Sequence, residues 1–175
     1  MTLIEIMISF VVLTVGVFML SSTITASIAH TDNKRERALA MEGAMNYLET
    51  MRAQPFRKLF ALYNQSGDDD PAGVGTAPGH LFDVAGLEAW SATVNRADPL
   101  GEVIFPGPGP TLVETLDQAE LGLPRDLNGD LQVNGEDVSD QYQILPAIIR
   151  ITWSSSGGRR QLEIPTIFSA MEKAR

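Results

Sequence analysis

The chain has 175 residues, a formal net charge of −9, 44% hydrophobic residues, two histidines and no cysteine. That length suits one modest domain with an appendage, and the missing thiols exclude a disulfide framework, a thiolate zinc site and a cysteine nucleophile. The acidic balance disfavours contact with nucleic-acid phosphates. His30 and His80 stand alone in sequence, so neither a histidine metal site nor a hydrolase is expected, and no enzymatic role is read here.

The first element is an apolar helix. No charged residue falls between Ile6 and Ala29, where Ile, Val, Leu, Phe and Met dominate. The run matches the roughly 20 residues that cross a bilayer core. It is too long for the apolar core of a signal peptide. Ser21, Ser22, Thr23, Thr25 and Ser27 make its second half more polar; their hydroxyls can bond back to helical carbonyls and so permit insertion. Hydropathy by itself is equally served by an ordinary single-pass anchor. Glu5 is the feature that such an anchor does not need, because a carboxylate at that depth costs on the order of 3 kcal/mol without a partner. A free N-terminal amine is a suitable partner.

Thr2-Leu3-Ile4-Glu5 ahead of a long apolar helix resembles the start of mature type IV pilins and pseudopilins. The resemblance implies a precursor whose leader is cut after a glycine, placing Met1 at the processed and N-methylated position and Glu5 at the assembly position. Residue 1 is Met where the family more often has Phe, and the mid-helix proline of many pilins is missing; Gly16 and the Ser21-Ser22 pair are the expected soft points. The tract Tyr47-Leu48-Glu49-Thr50-Met51-Arg52 is similar to the helix end in minor pseudopilins and pilus modification proteins.

The helix is expected to continue beyond the membrane. After the polar run 31–37, Met41, Ala44, Met45, Leu48 and Met51 recur at steps of three and four, which predicts one apolar face packed on a sheet. Pro55 disfavours a helical Gln54 and should end the element. A helix of about 50 residues is about 75 Å long. The expected division is a transmembrane half at 1–29, an amphipathic half at 30–54 and a globular domain at 55–175.

Residues 64–80, with Asp68-Asp69-Asp70, read as a solvated loop. Leu81–Val84 and Glu102–Phe105 suit short strands, and Pro106–Pro110 suits a stiff connector. Ile149, Ile151 and Trp153 alternate with Arg150 and Thr152, and Leu162, Ile164, Thr166 and Phe168 alternate with Gln161 and Glu163. A β-hairpin over 147–169 follows, with one face turned to the helix. The fold class is therefore α+β: a long N-terminal helix packed on a C-terminal antiparallel sheet, which is also the type IV pilin fold that the resemblance implies.

Residues 126–137 carry oxygen side chains at loop positions 1, 3, 5, 9 and 12, namely Asp126, Asn128, Asp130, Asn134 and Asp137. The carbonyl of Gln132 stands at position 7. This is the ligand spacing of an EF-hand calcium loop, and the ending Asn134-Gly135-Glu136-Asp137 is similar to the dockerin version. Leu131 sits at position 6, where glycine normally makes the sharp turn. A structural calcium is expected, against the alternative of an Asx-rich turn without metal.

These readings converge on a minor pilin or pseudopilin. It would be held in a bacterial inner membrane by a single pass, with its domain periplasmic or extracellular, and would be associated with a filament after assembly. The implied partners are other pilins or pseudopilins through the N-terminal helix, an inner-membrane assembly platform and a prepilin leader peptidase. The alternative is a membrane-anchored extracytoplasmic calcium-binding or adhesive module outside any filament.

Overall fold

A computed structural model describes residues 2–90 and 99–170. The chain forms helix α1 (Leu3–Arg52), a short 3-10 turn (Phe56–Lys58), helix α2 (Leu59–Tyr63), strands β1 (Leu81–Phe82), β2 (Glu88–Ala89) and β3 (Gly101–Ile104), a second 3-10 turn (Ala119–Leu121), and strands β4 (Ile144–Ser155) and β5 (Gly158–Ser169). It divides into two compact units, Met1–Ala38 and Leu39–Arg175. The architecture is α+β, as the sequence predicts.

In the first unit the helix runs unbroken through Gly16 and the Ser21-Ser22 pair. Of the hydroxyls expected to bond back, Ser22 Oγ donates to the Met19 carbonyl at 2.8 Å, Thr23 Oγ1 to the same carbonyl at 2.9 Å and Thr25 Oγ1 to Ser21 at 3.1 Å; Ser9 and Thr14 do the same earlier in the helix, to Glu5 and Phe10. Each polar side chain thus reuses a helical carbonyl and presents little unsatisfied polarity at the surface.

The second unit is built around β4. Its partner β5 pairs along the whole hairpin, from Ile144↔Ser169 to Ser155↔Gly158. On its other side β4 takes β3 at residues 148–151 and β2 at Trp153 and Ser154, and β1 pairs outward from β3. All pairs are antiparallel. The hairpin begins at Ile144, three residues earlier than expected, because Leu145 is a buried core residue and Pro146 lies in a strand pair with Ile167.

Period-two alternation does what it predicts on β4: Ile149, Ile151 and Trp153 are buried, while Arg150 stands on the other face. There its guanidinium bridges both neighbours, 2.7 Å from Glu163 on β5 and 3.6 Å from Glu102 on β3. These cross-strand pairs fix register more than they add stability, since exposed ion pairs contribute about 0–1 kcal/mol.

Helix α1 supplies the other side of the core through Ala40, Ala44, Leu48 and Met51. This corrects the expected stripe: Met41 and Met45 are on the outer side, 37% and 46% exposed. Small residues face inward because the chain approaches closely there. A Cβ on Gly43 would lie 2.6 Å from Val84 Cγ1, so Ala40, Gly43 and Ala44 leave space that methionines would overfill. Tyr47 stacks on Phe82 at 3.8 Å and meets Tyr63 edge-on at 5.7 Å. The helix ends at Arg52, and Pro55 follows with φ −60°. Beyond it, the Tyr142 hydroxyl donates to the Phe56 carbonyl at 2.6 Å and accepts the Phe60 N–H at 3.3 Å, tying the turn after α1 to the segment that enters β4.

In the 64–80 loop, Asp69 and Asp70 do more than meet solvent. Asp69 accepts from the buried Asn64 amide at 2.6 Å, and Asp70 accepts the Ala77 N–H at 2.9 Å.

Candidate functional site

Two features carry the chemistry that the sequence singles out, and they lie at the helix start and in the 126–137 loop. From Leu3 to Ile28 the large apolar side chains of α1 are exposed, among them Phe10 at 69% and Phe18 at 77%. This is one helix long and apolar enough to cross a membrane. Leaving that surface in water opposes the hydrophobic effect at about 25 cal/mol per Å².

Glu5 stands in the first turn of α1. Its Oε2 accepts the Thr2 N–H at 3.4 Å. Thr2-x-x-Glu5 therefore forms one half of a capping box, in which the carboxylate reaches back to satisfy a helix-start donor. From sequence the expected partner of this carboxylate is a free N-terminal amine, of a neighbouring subunit or of its own chain; the local cap on the Thr2 N–H is a further role that the Thr-x-x-Glu spacing already signals. Met1 lies outside the described residues.

The 126–137 loop is wound by its own side chains. Asp126 at position 1 accepts the Gly129 N–H at 2.6 Å with Oδ1 and the Leu131 N–H at 2.8 Å with Oδ2. Asn128 Oδ1 accepts the Asp130 N–H at 3.0 Å, and Asp130 Oδ1 accepts the Gln132 N–H at 2.7 Å. Asn134 Oδ1 accepts the Glu136 N–H at 2.9 Å. Asp137 Oδ1 accepts the Ser139 N–H at 3.1 Å and, across the fold, the Leu112 N–H at 2.9 Å. Burial works against the charge of Asp126, yet the backbone N–H groups of Gly129, Leu131, Asp130 and Asn128 outweigh it and hold the carboxyl below its ordinary value.

Leu131 adopts φ 66°, the only non-glycine among the described residues at positive φ. It thus supplies the left-handed turn that position 6 requires, and its side chain is 92% exposed. Gly129 also takes positive φ, 81°, and a Cβ there would meet the Gln143 side chain at 2.8 Å. Gln143 Nε2 donates to the Asn128 carbonyl at 2.8 Å, and the Gln143 and Ile144 N–H groups donate to the Leu127 carbonyl at 2.7 and 3.0 Å. Buried Leu127 and Val138 anchor the two ends of the loop in the core.

The sequence reading missed Glu114. It is fully buried, and its carboxylate accepts the N–H of Leu127 at 2.7 Å, of Asn128 at 3.3 Å and of Asn134 at 3.3 Å. Only its place midway between Leu112 and Leu116, two residues from each, hints that the glutamate is carried inward.

Among the described residues no group of three or more carboxylates or imidazoles is gathered as a metal cluster. The donor set that the sequence identifies is a mixed one, with two amides and a backbone carbonyl beside three carboxylates, and hard oxygens of this kind suit calcium. Each oxygen that accepts one N–H retains a further lone pair. The field also suits a cation: residues 114–140 hold eight acidic side chains against the single Arg125.

No family model matches the chain, and neither the curated proteins nor the solved structures contain a match to it.

Proposed function

We propose that this chain is a pilin-like filament subunit, a minor pilin or pseudopilin, whose N-terminal helix serves first as a membrane anchor and then as an assembly element. One observation carries the reading: an apolar helix, exposed along Leu3–Ile28, bears a single carboxylate at its front and runs on as α1 to Arg52, its last turns packed into an α+β core. An ordinary anchor needs the apolar run but not Glu5. A subunit needs both, because the carboxylate can pair with the free amine of a neighbour as helices exchange lipid for one another. The proposed partners are other pilins or pseudopilins, an inner-membrane assembly platform and a leader peptidase. No catalytic role is assigned. The proposed place is a bacterial inner membrane, with residues 39–175 on its periplasmic or extracellular side.

The test compares Glu5→Gln with Glu5→Ala in cells that assemble filaments. Glu5→Gln retains an acceptor for the Thr2 N–H and removes the charge. Under this proposal both variants insert in the membrane, and both enter filaments poorly. Normal incorporation of Glu5→Gln overturns the pairing role. It favours a membrane-anchored calcium-binding or adhesive module outside any filament.

We also propose that the 126–137 loop holds one structural calcium through Asp126, Asn128, Asp130, the Gln132 carbonyl, Asn134 and Asp137. The left-handed Leu131 supports this reading, since it gives the loop the turn its position 6 needs. Binding only the folded state stabilises it by RT ln(1 + [Ca]/Kd), about 2.7 kcal/mol at a hundredfold excess. The detergent-solubilised chain should melt at a higher temperature in millimolar calcium than in chelator, and Asp126→Ala should abolish the difference. Equal melting of the wild type in both buffers leaves an Asx-rich turn without metal.

A further inference from the structure

We propose that Glu114 is the positioning residue that holds the 126–137 loop in its cation-binding conformation before any cation arrives. The effect on cation affinity rests on the calcium reading above; the effect on loop order does not.

The geometry is that of a clip. Glu114 Oε1 takes the N–H groups of Leu127 and Asn128, at loop positions 2 and 3, and Oε2 takes the N–H of Asn134, at position 9. One carboxylate thus joins the entry of the loop to its exit limb. Its own carbonyl accepts the Arg125 N–H at 3.2 Å, just before the loop begins. The acceptor in each case lies outside the loop. The Asx turns of Asp126, Asn128 and Asp130 wind the first half locally, but nothing in those turns sets the distance from position 3 to position 9. Glu114 does.

A loop with acidic side chains at positions 1, 5 and 12 opposes its own closure through charge repulsion when no cation is present. An outside brace of backbone N–H bonds offsets that repulsion and lowers the ordering cost of binding. Glu114 is also a fully buried acidic side chain with no Lys or Arg partner among the described residues. Backbone N–H groups are its compensation. Partners that orient a metal site from outside typically change its affinity by about 10–100-fold when mutated.

The experiment uses the full chain in detergent, with calcium as the probe. Glu114→Gln preserves shape but presents an NH₂ group where one of the N–H donors now points. In calcium-free buffer, hydrogen exchange of the Leu127 and Asn134 amides should be slow in the wild type and at least about tenfold faster in Glu114→Gln. Calcium titration by calorimetry should give a Kd at least about tenfold weaker for Glu114→Gln, with saturating calcium restoring the slow exchange. A merely structural glutamate would lower the melting temperature and leave both local exchange and Kd at wild-type values; that result overturns the proposal. If the wild type binds no calcium, the calcium reading falls and the exchange comparison still decides the brace. If Glu114→Gln does not fold, the calcium-free wild type decides it: the Leu127 and Asn134 amides must exchange more slowly than that of exposed Gly135, and equal rates overturn the clip.

Discussion

Leu131→Gly should stabilise the protein, against the usual expectation for deleting a large apolar side chain. At φ 66° a Cβ crowds the following carbonyl, at a cost of roughly 1–2 kcal/mol. Glycine removes that cost and brings its own, about 0.5–1 kcal/mol from the larger freedom it gives the unfolded chain. The side chain being deleted is 92% exposed, so almost no burial is lost. The balance is a net gain of about 0.5–1 kcal/mol. For a unit of this size such a gain raises Tm by roughly 2–4 °C. The assay is thermal melting followed by circular dichroism, with Leu131→Ala as the control: alanine keeps the Cβ and the strain, so its Tm should stay near that of the wild type. Calcium affinity of Leu131→Gly should stay near that of the wild type, because the folded loop holds the same left-handed turn before the cation arrives. A lowered Tm for both Leu131→Gly and Leu131→Ala would show that the leucine contributes packing, and the strain argument would be refuted.

Gly43→Ala tests the close approach of α1 to the chain at Val84. The new Cβ would lie 2.6 Å from Val84 Cγ1, and overpacking of about 1–3 kcal/mol should outweigh the gain of about 1 kcal/mol in helix propensity. A lowered urea midpoint is expected, and an unchanged or raised one would mean that the contact is slack. Alkaline pH should also destabilise the domain. Burial, with the neighbouring Tyr63 adding to it, raises the pKa of the Tyr47 phenol far above 10, and burial raises Tyr63 and Tyr142 as well. The unfolded chain therefore loses these protons first, near pH 10. The stability they contribute is complete below that value and declines as pH rises toward their folded values. Denaturation midpoints at pH 9 and pH 11 should differ in that direction, and Tyr47→Phe should shrink the difference.

Local periodicity made the large elements legible. Alternation over residues 149–153 named the buried face of β4 because that half of the strand has one side on the core and the other toward solvent, whereas residues 145–149 are buried without alternating. The apolar stretch from Ile6 to Ala29 and the stop before Pro55 were equally direct. The helix face was read less well. Counting apolar residues at helical spacing favoured Met41 and Met45, but small residues hold the inner positions, and the segment after β1 comes close enough at Val84 to leave no room for a Cβ on Gly43. Hydrophobicity ranks side chains by their preference for leaving water; it does not say how much room the facing surface leaves. The two-residue strand β2 had no signal of its own, because its pairing is set by the length of β4.

The acidic loop divides along the same physical line. Its side-chain spacing is a local property, and the Asx turns that follow from it formed where the spacing placed them. Leu131 shows that a local rule can be met by an unexpected residue: the backbone takes the left-handed turn that the motif requires, although leucine pays strain to adopt it. Glu114 lies outside every local rule. Its three N–H partners are 13 to 20 residues away, so no window of spacing contains the interaction. What the sequence did contain was a glutamate flanked by Leu112 and Leu116 that are drawn into the core. A carboxylate carried inward by such neighbours must find donors there or destabilise the fold, and an adjacent loop whose own oxygens leave N–H groups unclaimed is where those donors are available.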